Sequence, residues 1–439
     1  MARKYLALLL PLILAQTSLA AAQVALPAVR LPTLPATGLN GVPLEMDRLP
    51  DRLRELRRLR ARDLIRAHRR EIEADPNGAP ALRGEVVAFS PTDAALERAR
   101  AAGFAILRER PLEGLGTRMV ILGAPNGTDT RRALQELRAL DPDGLYDFNH
   151  LYLDSGALDV AVDEPPGVAE VRAAAHGDSA PAAEPAKIGL VDGGVDIGHA
   201  VFRDIVIHQH GCSGLPVPAA HGTAVASLMT GRSAQFHGAA PGSELYAADV
   251  YCGLATGGAV DAVADALAWL VHERVAVINV SLVGPPNVTL ESVVRMVIAR
   301  GHVIVAAVGN DGPAAPPLYP AAYPDVVGVT AVDAHQRALL EACRGRQVKF
   351  SAPGADMSAA NPEQRYVTVR GTSFAAPIVA GLLAEMVHEP DKLIAARAVA
   401  ALAARAVDLG APGPDPIYGF GLVGGDMHPE LALVGSRAN

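Results

Sequence analysis

The sequence predicts an α/β protein. A three-layer domain built on a mostly parallel sheet follows a small α+β unit. Three observations carry this prediction. From residue 187 onward, near-continuous apolar runs alternate with helical patterns. Such runs mark strands buried on both faces, as a parallel sheet flanked by helices requires. Between residues 84 and 153 the order is β-α-β-β-α-β, the split βαβ pattern. Composition agrees: of 439 residues, 50% are hydrophobic, 20% charged and only 4% aromatic. The abundance of Ala and Gly suits tightly packed helix-on-sheet layers.

Residues 1–22 read as a Sec-type signal peptide. Arg3 and Lys4 supply a basic start, "YLALLLPLILA" an apolar stretch, and Ala20 and Ala22 a cleavage site before Gln23. The apolar stretch is short for a membrane anchor, and Pro11 interrupts it. A secreted or periplasmic product without a stable anchor is expected. Residues 23–80 hold a Pro-rich lead-in and a basic amphipathic helix over 47–73. There Leu49, Leu53, Leu56 and Leu64 recur at helical spacing, and ten arginines face six acids. That interleaving predicts a solvated helix face; docking on an anionic surface is the minor alternative.

The α+β unit spans 81–153. "GEVVAFS", "FAILRER", "TRMVILG" and "GLYDFNHLYL" read as strands. Helices "PTDAALERARAAG" and "DTRRALQELRAL" lie between, the first starting at Pro91 with a capping residue and ending at Gly103. Residues 154–186, rich in Ala and Pro, read as a linker. The main domain, 187–427, contains the strands "KIGLVDGG", "ELYAADVY", "VAVINVSL", "HVIVAAVGN" and "VVGVTAVD", with helices such as "AVDAVADALAWLVHE" and "TLESVVRMVIARG". Residues 428–439 form a tail.

A net charge of −8 and a pI near 5.9 argue against nucleic-acid binding. Three cysteines allow one disulfide in an exported chain. Proximity in sequence favours Cys212 with Cys252 and leaves Cys343 over. No Cys or His spacing suggests a metal site.

The chemistry gathers at element boundaries of the main domain, where ligand sites of such folds lie. Asp192 ends the first strand. His221 opens "HGTAVASLMTG". Asn310 follows a strand in "VAAVGNDG". Ser373 stands in "RGTSFAAPIVAG" before a helix that is apolar on nearly every face, with Pro377 assigned to its first turn. Singly, each has an ordinary explanation: a buried or edge acid, two helix caps and a turn residue. Together they supply a nucleophile, a base, an orienting acid and an oxyanion donor, in the order Asp, His, Ser. No G-x-S-x-G elbow is present, which weakens an esterase reading. Asp196 competes with Asp192 but reads as a turn residue. His199, His208, His210 and His237 read as solvated or structural.

The stretches "IGLVDGGVDIGHAVF", "HGTAVAS", "VINVSLVGP", "VAAVGNDG" and "GTSFAAPIVAG" resemble those of subtilisin-like serine proteases, the subtilases, over about residues 187–427. The resemblance implies a catalytic triad of Asp192, His221 and Ser373, with Asn310 in the oxyanion hole. It implies substrate binding along Ser281, Leu282, Val283 and Gly284, with Thr256, Gly257 and Gly258 opposite. Ala307 and Gly309 would join the specificity pocket. The α+β unit is similar to the family's inhibitory propeptide. This implies a zymogen whose partners are polypeptide substrates and its own N-terminal unit, as inhibitor and chaperone; a monomer is expected. Val283, where the family usually has Gly, is expected to narrow the cleft. No cofactor is predicted: the usual calcium loop after the His helix is missing from "TGRSAQFHGAAP". Two alternatives remain. One is a catalytically inactive scaffold on the same fold, against which the complete set of four residues argues. The other is a protease whose N-terminal unit stays attached as a regulator.

Overall fold

The computed structural model describes residues 49–154, 157–162, 185–233 and 236–427; for 49–54, 56 and 157–162 it describes the backbone alone. The expected signal segment, the lead-in to residue 48, the linker over 163–184 and the tail from 428 lie outside the described residues.

The helix expected over 47–73 is shorter. Helix α1 (Leu49–Ala67) stops before a turn, and strand β1 (Ile72–Ala74) follows, with Ile72 fully buried. The α+β unit continues as β2 (Pro80–Phe89), α2 (Asp93–Ala101), β3 (Ala105–Leu112), β4 (Thr117–Gly123), α3 (Thr130–Leu140) and β5 (Leu145–His150). Thr92 and Asp129 cap α2 and α3 by accepting the Ala95 and Arg132 N–H groups. The strands pair antiparallel in the order β5-β2-β4-β3, with β1 on the start of β2. This is the split βαβ arrangement. Its sheet has two different faces. Val86, Ala88, Val120 and Leu122 pack in a small core with Leu96, Leu134 and Leu137 of α2 and α3. Val87, Met119 and Ile121 belong instead to the core of the main domain.

The stretch read as linker contains a strand, β7 (Ala157–Val162), and its first residue ends another, β6 (Leu153–Asp154); each adds to an edge of the main domain. Neither carries a long apolar run, because tertiary pairing rather than local pattern makes them extended.

The main domain runs β8 (Lys187–Asp192), β9 (Ile207–His210), α4 (Ala220–Thr230), β10 (Glu244–Asp249), α5 (Val260–His272), β11 (Val277–Val280), β12 (Leu282–Val283), α6 (Val288–Ala299), β13 (Val303–Ala307), β14 (Val327–Val332), β15 (Val348–Pro353), β16 (Ala355–Asn361), β17 (Arg365–Arg370), α7 (Thr372–Ala384) and α8 (Lys392–Arg405). Seven strands form one sheet in the order β15-β14-β13-β11-β8-β10-β9, parallel at every pairing. Side chains alternate between its faces. Val303, Val305 and Ala307 pack with α4 and α7; Ile304, Ala306 and Val308 pack with α5 and α6. Cys212 and Cys252 form a disulfide, and Cys343 is a buried free thiol.

Candidate active site

Asp192 is the last residue of β8 and fully buried. His221 is the second residue of α4, so its imidazole leaves the helix start toward the sheet's carboxyl end. Its Nδ1 lies 2.9 Å and 3.0 Å from the two Asp192 carboxylate oxygens. The Gly193 N–H also donates to Asp192, at 2.7 Å. His221 Nε2, the nitrogen facing away from Asp192, is buried without a hydrogen-bond partner. Burial opposes charge on His221, but the Asp192 carboxylate and its hydrogen bond outweigh that, with Asp154 adding to them; the pKa is lifted to about 9. Burial raises the Asp192 pKa, and His221 and the Gly193 N–H counter it.

Ser373 is the second residue of α7, not its cap. Gly371 is the cap, at φ +137, a backbone angle that favours glycine. Ser373 is fully buried, and its Oγ donates to the Ser281 carbonyl at 3.3 Å. Pro377 sits in the second turn of α7 rather than the first. Without an N–H it cannot serve the carbonyl four residues back, which is that of Ser373. The Ser281 hydroxyl does so instead, at 2.9 Å, and is itself held by Asn279 Nδ2. Sequence reading gave Ser281 only to substrate binding; the signal for this second role was the proline four residues after Ser373.

The end of β13 meets the start of α7 through a reciprocal pair. The Thr372 N–H donates to Asn310 Oδ1, and Thr372 Oγ1 accepts from the Gly309 N–H, each at 3.1 Å. The first bond fixes which end of the Asn310 amide is acceptor and leaves Nδ2 as the donor end. Gly309 has φ +98, and a Cβ there would stand 2.4 Å from Leu318. Ala307 is buried in the core shared with α4 and α7. Thr256 lies half-buried in a turn.

The chain's own segment 151–154 lies between the two expected cleft edges. Leu153 and Asp154 pair antiparallel with Val283 and Leu282. Opposite, the Tyr152 N–H donates to the Gly258 carbonyl at 2.8 Å, and Leu151 bridges Ala259. Tyr152 is buried and its hydroxyl donates to the Pro285 carbonyl at 2.6 Å. A Cβ on Gly284 would come within 2.6 Å of its ring, so this position requires glycine. Val283, expected to narrow the cleft, is buried in the same apolar cluster as Tyr152 and meets Leu153 through its backbone. Downstream, Ala157 pairs with Arg370, three residues before Ser373. Asp196 is a turn residue whose Oδ1 accepts the Gly198 N–H. Cys212, Asp249 and Cys252 gather at metal-ligand distance, but the disulfide uses both thiols.

The N-terminal unit docks on the starts of α5 and α6. Arg108 joins Glu85 to the buried Asp261, and Asn149 Nδ2 donates to both acids. Asn287, the cap of α6, donates to the Phe148 carbonyl and to His150 Nδ1, while Asp147 accepts the Val288 N–H. Gly114 touches α5 so closely that a Cβ would lie 2.2 Å from the Ala268 carbonyl oxygen.

Comparison with known proteins agrees with this arrangement. A family model described as the subtilase family matches residues 184–421. Subtilisin DY of Bacillus licheniformis is 31% identical over 245 residues, which cover 54% of this chain and 88% of that protein. M-protease of Shouchella clausii is 36% identical over 167 residues, 37% of this chain and 43% of that one. Fervidolysin from Fervidobacterium pennivorans, described as a keratinolytic enzyme related to subtilisin, superposes with a TM-score of 0.63 at 20% identity. That match covers 80% of this chain and 61% of fervidolysin. The chain thus spans less than half of M-protease and under two thirds of fervidolysin. Among the described residues, no helix is long and apolar enough to cross a membrane.

Proposed function

The chain belongs to the subtilase family, and on that premise we propose that it is an exported serine endopeptidase made as a self-processing zymogen. Ser373 Oγ attacks the peptide carbonyl, and His221 Nε2 takes its proton and passes it to the leaving amine. Asp192 holds the imidazole in the tautomer this needs and stabilises the imidazolium. Asn310 Nδ2 and the Ser373 N–H donate to the oxyanion, at a helix start whose dipole favours negative charge. An acyl-enzyme on Ser373 forms as the amine leaves, and water then hydrolyses it.

The observation that carries this reading is the segment 151–154 paired in the cleft like a substrate strand. Strand pairing brackets the bond to be cut: Asp154 pairs on one side of Ser373 and Ala157 on the other. Cleavage is expected within that interval, with residues up to Asp154 left in the cleft as inhibitor. The Cys212–Cys252 disulfide suits an oxidising compartment outside the cytosol.

The test is intact mass after expression, with Ser373→Ala alongside. Wild type should separate into two pieces at a bond between Asp154 and Ala157, and the variant should stay joined. Identical cutting of both would assign processing to another protease. An uncut wild type that also fails to react with a serine-directed phosphonate would remove the enzyme reading.

A further inference from the structure

The uncut chain lays two strands against the main domain beside Ser373, and the downstream one is the longer. β6 pairs two residues with β12, whereas β7 runs six residues along β17, from Ala157 opposite Arg370 to Val162 opposite Tyr366. Six extended residues cover about 20 Å. Val162 lies six to eight residues beyond the bond to be cut, wherever between Asp154 and Ala157 that bond is. β17 has its own hold on the main domain. Its other edge pairs with β16 from Ala355 to Asn361. Val367 and Val369 are buried in the core shared with α4 and α7. In the turn between the two strands, Asn361 Oδ1 accepts the Glu363 and Arg365 N–H groups. His199 Nδ1 accepts the Val201 N–H, so its Nε2 is the donor to the Arg365 carbonyl, at 3.3 Å. At the far end the Arg370 guanidinium donates to Glu341 at 2.7 Å and 3.1 Å. Every one of these partners lies well after residue 163, so the hold on β17 does not pass through β7.

A strand whose neighbour has left presents a row of N–H and C=O groups to any extended chain. In the protease reading, on which this inference rests, the next chain to arrive is a substrate whose downstream half runs from Ser373 along the same line. We propose that β17 is an extended downstream binding edge, taken by substrate residues out to at least the sixth beyond the cut bond. The substrate class follows. It is polypeptide cut well inside an extended segment, with six or more residues after the bond. Pairing through backbone groups tolerates many sequences but not proline, which has no N–H to give. Bonds within three residues of a chain's end use only the first part of the edge and are cut more slowly.

The experiment uses the full chain after expression and peptides taken from its own sequence, amidated at the C-terminus. One spans Phe148 to Asp159 and the other Phe148 to Val162. In an antiparallel pair, one of two successive residues directs its N–H at the partner. Two further versions of the longer peptide therefore carry Ala161→Pro or Val162→Pro. The longer peptide should be cut with kcat/KM about 10-fold above the shorter, the size of one or two backbone hydrogen bonds. At least one proline version should fall back to the value of the shorter peptide. Values for the two lengths within about 2-fold of each other, less than one such bond, overturn the proposal and leave the protease reading standing. So do two proline versions that both match the longer peptide, and so does a wild type that reacts with the phosphonate yet cuts neither length. A wild type that cuts none of them and does not react with the phosphonate overturns the protease reading, and this proposal with it.

Discussion

Two stretches of one chain flank Ser373, and they are held differently. Upstream, residues 151–154 pair on both sides, and Tyr152 is buried with its hydroxyl and both backbone groups bonded. Behind them stands a whole unit whose sheet shares the main core and whose arginines reach Asp261. Downstream, residues 157–162 lie along one partner strand, β17. The difference teaches what the proposed cut should leave behind: the upstream end is expected to stay as a tight blocker, and the downstream end, held along one strand, is expected to depart.

Breaking the upstream hold should give the largest effect. Tyr152→Ala removes a buried aromatic side chain at a cost of about 3–5 kcal/mol. After cutting, its N-terminal part should no longer co-elute with the main domain in size-exclusion chromatography, and activity should rise earlier. Asp261→Ala attacks the same hold from the docking face. It leaves Arg108 and Asn149 short of a partner, with a similar or slightly smaller loss, read by the same co-elution. Ser281→Ala comes next. It strands the Ser373 carbonyl above Pro377, so about 1–3 kcal/mol is lost, seen as a lower melting temperature and slower self-cutting. Ala161→Pro on the downstream stretch should be smallest, within about 1.5 kcal/mol, with co-elution unchanged. Equal effects of Ala161→Pro and Tyr152→Ala would erase the contrast.

Titration sharpens the comparison. The His221 pKa is raised above its ordinary 6.5, to about 9. Its contribution to stability is therefore fully present below about pH 6.5 and lost as pH rises through 9. Since Asp154 helps to raise it, Asp154→Asn in a Ser373→Ala background should lower the His221 pKa and narrow that window. Imidazole NMR resonances followed over pH would report it, and an unmoved titration would separate Asp154 from the base.

The fold was legible where burial writes itself into local pattern. The strands ending at Asp192, Val280 and Ala307 are buried along their length, and their apolar runs announced them. β9 was missed because Ile207, His208, Gln209 and His210 form an edge strand with polar, half-wet side chains. β7 was missed because its partner lies some two hundred residues away. Asp192, His221, Asn310 and Ser373 were legible as spaced motifs, and the Asp192–His221 contact follows. What could not be read was which groups serve each other across the chain. Thr372 with Gly309, Ser281 with Ser373, and Arg57 with Asp311 are meetings of distant residues, and no local window contains both partners.

Pro377 has one more consequence. By withdrawing an N–H, it hands the carbonyl of Ser373 to Ser281, the residue that immediately precedes the cleft edge β12. Ser281 in turn accepts the Ser373 hydroxyl. Ser281 thus bonds Ser373 at both its carbonyl and its hydroxyl, while the two residues that follow it carry the backbone pairing with Leu153 and Asp154. A single residue joins the edge that holds segment 153–154 to the residue at the start of α7.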